Sequence, residues 1–118
     1  MSLNLNELSP EMQKKIRNLQ GLQQSLEFII SQKLQLESTL KETELAIEEL
    51  EKVDPEEVVY KSIGGIMVKS NKDKLLSEKK NQRTNVEMRV KTLKQKEDRT
   101  RSQIETLKNN IQGELQNQ

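Results

Sequence analysis

VVYKSIGGIMVK, running from Val58 to Lys69, places two β-branched runs on either side of Gly64 and Gly65. A Gly-Gly pair supplies the positive φ angles of a two-residue hairpin turn without the Cβ penalty that other residues meet. The stretch therefore predicts a two-stranded antiparallel β-hairpin over residues 58–69. Alternation puts Val58 and Tyr60 on one face and Val59 and Ile63 on the other, and beyond the turn it sets Ile66 and Val68 against Met67. Both faces are then partly apolar. An isolated hairpin is marginal in water, and this one has two unpaired edges. It needs a partner, so Val58, Val59, Tyr60, Ile63, Gly64, Gly65, Ile66, Met67 and Val68 are read as residues through which subunits assemble.

On the N-terminal side, alternating steps of three and four from Leu5 reach Leu8, Met12, Lys15, Leu19, Leu22, Leu26, Ile29, Lys33, Leu36, Leu40, Thr43, Ile47 and Leu50. Eleven of these fourteen positions are apolar, which makes them the a and d positions of a heptad and specifies a left-handed coiled coil. Ser9, Pro10 and Glu11 supply an N-cap, a proline at the first helical position and an acid in the first turn. Pro55 forces Asp54 out of the helical region, so the first helix is expected over residues 10–52.

On the C-terminal side the same rhythm joins Leu76, Lys79, Arg83, Val86, Val90, Leu93, Glu97, Thr100, Ile104, Leu107, Ile111 and Glu114. Ser70 or Asn71 can cap this second helix, expected over 71–115, and Asp73 stands in capping-box position to Ser70. Each helix would run about 65 Å. Matching lengths on either side of a tight turn predict a mainly α chain, a long antiparallel two-helix coiled coil with the β-hairpin inserted between the helices. Residues 1–53 carry a net charge of −3 and residues 70–118 one of +5. An acidic helix against a basic one gains flank ion pairs, each worth under about 1 kcal/mol when exposed.

Composition excludes much else. Hydrophobic residues are 31% and charged residues 33%, with one Phe, one Tyr and no Trp, so a compact core or an aromatic-lined pocket is not expected. With neither Cys nor His there is no thiolate nucleophile, imidazole base or zinc cluster, and no GxxxxGK[ST] loop is present. No enzyme activity, cofactor or metal is expected. A net charge of +1 gives no broad field for nucleic acid or an anionic membrane. The basic run Lys91, Lys94, Lys96, Arg99 and Arg101 is interrupted by Glu97 and Asp98 and lacks aromatics, so it reads as a solvated face. Neither a signal peptide nor a long apolar stretch appears, and a cytoplasmic location is expected. Polar seam residues, Lys15, Lys33 and Thr43 in one helix and Lys79, Arg83, Glu97 and Thr100 in the other, are read as register-setting.

Three segments carry a family resemblance. VYKSIGGIMVKSNKD (Val59 to Asp73) resembles the hairpin signature of the prefoldin beta-subunit family, RVKTLKQKEDR (Arg89 to Arg99) is similar to its second-helix run, and LQGLQQSLEFIISQK (Leu19 to Lys33) to its glutamine-rich first helix. The likeness covers nearly the whole chain as a single domain over 1–118, weakening before Ser9 and after Gly113. Gly64-Gly65 departs from the family's frequent Gly-Asn. The resemblance implies an ATP-independent chaperone subunit in a hexamer of two alpha-type and four beta-type subunits. Such a complex holds unfolded proteins at its coiled-coil ends and delivers them to a group II chaperonin. Nucleic acid, membrane and cofactor play no part in it.

Residues expected to meet unfolded clients lie near the joined ends of the two helices: Leu5, Leu8, Met12, Ile16 and Leu19 on one, Ile104, Leu107, Ile111 and Leu115 on the other. Most are also seam residues, whereas Ile16 and Leu115 fall at e positions outside the a/d seam. Leu45 and Met88, at f positions, are read as isolated exposed apolars. A structural coiled-coil tether or scaffold subunit is the competing reading. A plain rod dimerises along its seam, whereas here the chain closes its own seam and leaves the hairpin free.

Overall fold

The computed structural model describes residues 5–117, the side chain of Leu5 excepted. A short 3-10 turn, Leu5–Glu7, precedes a first helix α1, Pro10–Lys52; strands β1, Val59–Ile63, and β2, Ile66–Ser70, follow; a second helix α2 spans Lys72–Gln116. The strands thus sit about one residue later than the 58–69 expected from sequence.

Local chemistry fixes each boundary. The Met12 amide donates to Ser9 Oγ at 3.1 Å, so the Ser9 side chain satisfies one of the orphan donors at the start of α1, and the Gln13 amide donates to Ser9 O at 2.9 Å in the first regular bond of the helix. Beyond Lys52, the amides of Glu56 and Glu57 both donate to Asp54, at its Oδ1 and its carbonyl, and turn the chain ahead of β1. Lys72 Nζ then reaches back to the carbonyls of Glu51, 3.1 Å, and Val53, 2.7 Å. A cation at the start of α2 therefore caps the negative end of α1. Asn71 caps α2, accepting the Lys74 amide on Oδ1 at 2.8 Å. Ser70 stays in β2, so the Ser70–Asp73 capping box is not used.

In the hairpin, Val59 pairs with Ser70, Tyr60 with Lys69, Lys61 with Val68, Ser62 with Met67 and Ile63 with Ile66. Gly64 has φ 58° and is the one described residue with positive φ. A two-residue turn with positive φ at its first central position is type II′, not the type I′ that would need both glycines.

The chain divides into two compact units, the described residues of Met1–Lys33 with Leu93–Gln118, and Leu34–Thr92. In the first unit, Met12, Ile104 and Ile111 are buried, joined by Glu97 and Thr100. Lys15 pairs with Glu114 and Lys33 with Glu97, so advance along α1 is matched by retreat along α2 and the pairing is antiparallel. In the second unit, Ile47, Leu75, Val86 and Thr43 are buried. The Thr43 hydroxyl donates to Thr39 O at 2.8 Å, which lets a polar residue occupy the seam without an unpaired group. Every described position of both heptads is buried or half-buried.

The helix-to-helix ion pairs differ from expectation. Glu51 to Lys80, 3.9 Å, has the expected sense, acidic helix to basic helix. Lys15–Glu114 and Lys33–Glu97 run the other way, from lysines of α1 to glutamates of α2, because they occupy seam layers where proximity outweighs the helices' net charge.

Candidate functional site

The hairpin places its apolar side chains in water. Tyr60 is 57% exposed, Ile66 63% and Met67 66%; Val58, Ile63 and Val68 are also exposed, and Val59 alone of the apolar set is half-buried. The register sorts them onto two faces, Tyr60 with Met67 on one and Val59, Ile63, Ile66 and Val68 on the other. Each face thus carries an exposed apolar cluster, and among the described residues β1 and β2 pair only with one another. Gly64 and Gly65 are both exposed, with open space where a Cβ would stand.

One charged contact ties the hairpin to its helix. Lys61 Nζ donates to Glu78 Oε2 at 2.8 Å. That hydrogen bond holds the Glu78 carboxyl below its ordinary value of 4.5. Tyr60 also lines a groove with Leu50, Leu75 and Val86 on the helices. Leu75, at 6% exposure, lies off the heptad seam, and sequence periodicity gave no sign of it.

The residues expected to meet clients separate by burial. Met12, Ile104 and Ile111 are buried in the seam; Leu8, Ile16, Leu19, Leu107 and Leu115 are half-buried. The side chain of Leu5 lies outside the described residues. Ile16 and Leu115 each directly follow a member of the Lys15–Glu114 pair, so the register sets both on one flank of the unit. Leu45 and Met88 are exposed, as their f positions imply, and so are Phe28 and Leu34, which heptad reasoning left unremarked at c and b positions.

A charged cluster lies deeper in the same unit. Lys33 Nζ donates to Glu97 Oε1, while Arg101 donates to Glu97 Oε2 through Nε, 3.0 Å, and Nη2, 2.9 Å. The Lys33 hydrogen bond, then that of Arg101, hold the Glu97 carboxyl below 4.5. Among the described residues no group of carboxylates is arranged to hold a metal, and no helix is long and apolar enough to cross a membrane.

Residues 13–118 match the prefoldin subunit family. The prefoldin beta subunit of Archaeoglobus fulgidus is 39% identical over 94% of this chain and 96% of its own, and that of Pyrococcus furiosus is 32% identical over 94% and 95%. The crystal structure of the prefoldin beta subunit from Thermococcus strain KS-1 superposes with a TM-score of 0.85 at 30% identity, covering 92% of this chain and 96% of that one. Two long helices joined by an uncovered hairpin, and relatives matched over almost their full length, give one conclusion: the chain belongs to the prefoldin subunit family, as a beta-type chaperone subunit.

Proposed function

We propose that this chain works as part of an ATP-independent holding chaperone of the cytoplasm, one family domain over residues 1–118 without enzymatic activity. Its hairpin joins an alpha-type subunit and further beta subunits into a complex of two alpha and four beta chains. That complex holds unfolded proteins at the ends where α1 begins and α2 finishes, and passes them to a group II chaperonin. The observation that carries this reading is the hairpin with apolar side chains uncovered on both faces. Burying such side chains stabilises an assembly by about 1.5–3 kcal/mol each when coverage is complete. A held client is reached by the half-buried flank residues Ile16 and Leu115 and by seam residues freed as the helix ends open. Many weak contacts from several arms then add through multivalency.

The test is suppression of aggregation of an unfolded model protein by the chain mixed with an alpha-type partner, without nucleotide. Ile16→Ser with Leu115→Ser should weaken suppression at unchanged complex mass. Equal protection by a chain trimmed before Met12 and after Lys108, still assembled, would move the holding site away from these ends.

A further inference from the structure

In the unit built from the start of α1 and the end of α2, a groove follows one flank of the seam. Half-buried Leu22 and Leu107 line it, together with the amide side chains of Asn18, Gln103 and Asn110. Its charged lining is Lys15, Arg17 and Arg99, with no carboxylate among the lining residues. Lys15 is engaged by Glu114 and donates to Asn110 Oδ1 at 2.8 Å, which among the described residues leaves Asn18 and Gln103 with free amide acceptors. Arg17 and Arg99 are exposed, and among the described residues neither has a carboxylate within ion-pair distance. Of the acids on α2 along this span, Glu97 is paired with Lys33 and Arg101 and Asp98 with Lys94, while Glu105 makes no ion pair among the described residues and is not among those that line the groove.

The chemistry of this lining selects a ligand. Amide side chains both donate and accept, which suits the alternating N–H and C=O groups of an extended backbone. The leucines offer apolar surface to alternate side chains. Two uncompensated guanidiniums favour carboxylates, which they bind through a planar fork, and repel cations. No Phe, Tyr or Trp lines the groove, so it lacks a stacking platform for nucleobases. We propose that this groove is a docking surface for extended segments of unfolded polypeptide that alternate apolar and acidic residues. The proposal rests on the client-holding reading and names the class of segment held.

Gly21 provides a way to test the groove apart from the fold. It lines the groove from inside α1, and a Cβ built on it meets nothing within 4 Å. Nothing in the chain requires glycine there, and glycine is among the poorest residues for a helix interior. Gly21→Leu should therefore fill the groove without lowering the thermal midpoint.

The experiment uses the full chain and fluorescence anisotropy with three labelled probes: a peptide alternating Leu and Glu, its Leu-Lys counterpart, and a single-stranded oligonucleotide. The Leu-Glu peptide should bind about tenfold more tightly than the Leu-Lys peptide, with the difference shrinking as salt is added. Arg17→Glu with Arg99→Glu, and separately Gly21→Leu, should each abolish that preference. Equal binding of both peptides, a preference that survives these substitutions, or tighter binding of the oligonucleotide would overturn the proposal. Aggregation suppression, measured in parallel, separates the two ideas: protection without the peptide preference removes the groove alone, whereas absence of protection in the wild type removes client holding itself.

Discussion

Lys33 and Glu97 form an ion pair across the helix seam, at positions that a heptad ordinarily fills with apolar residues. The Glu97 side chain is only 5% exposed, and Arg101 occupies its second oxygen from one turn along α2. A pair placed this way is weak evidence for stability, because desolvation offsets much of the Coulombic attraction. Its better-attested use is register, since any slip of α1 against α2 would leave charge facing apolar side chains.

The pair gives the chain an acid-sensitive element. Glu97 has a folded-state pKa below its ordinary 4.5, so its contribution to stability is fully present above that value and is lost as pH falls through the depressed folded value. Glu78, held down by Lys61, adds a contribution of the same sign. The thermal midpoint should therefore fall on acidification below about pH 4.5, less steeply for Glu97→Gln than for wild type. Parallel midpoint-against-pH curves for the two proteins would rule out this role for Glu97.

Substitution at both positions separates register from strength. Lys33→Leu alone leaves the Glu97 carboxylate facing an apolar partner and should lower the thermal midpoint. Lys33→Leu with Glu97→Leu should restore it to the wild-type value or above. If the double variant is as unstable as the single one, the pair is itself a net source of stability.

The turn makes an asymmetric expectation. Only Gly64 requires positive φ, so Gly64→Ala should destabilise the hairpin by about 1–2 kcal/mol. Gly65→Asn should be tolerated, since a type II′ turn asks positive φ of its first central residue alone. Urea titrations followed by circular dichroism and by complex mass check both, and equal effects would contradict the turn assignment.

Much of the fold was legible because two signals are local and periodic. The three-four spacing from Met12 to Leu50 placed every seam residue of α1 at a buried or half-buried position, and Gly64-Gly65 between β-branched runs marked the hairpin. What escaped depends on partners distant in sequence. Lys72 capping the carbonyls of Glu51 and Val53 requires the two helix ends to meet around the hairpin. Leu75 is buried although it lies off the heptad. The partnership of Lys33 with Glu97 depends on the antiparallel register, which periodicity within one helix leaves open. The hairpin's apolar exposure was readable as a need for a partner, because the two helices flanking it are already paired with each other.

The most direct measurement is the mass of the full chain mixed with an alpha-type partner, by light scattering, for wild type and for Ile66→Asp with Val68→Asp. Ile66 and Val68 share one exposed face of the hairpin, and carboxylates there would be buried unpaired on assembly. The wild-type mixture should have the mass of a multi-chain complex, and the double variant should fall out of it while keeping its helical circular-dichroism signal. A double variant that retains the full wild-type mass would contradict assembly through the hairpin.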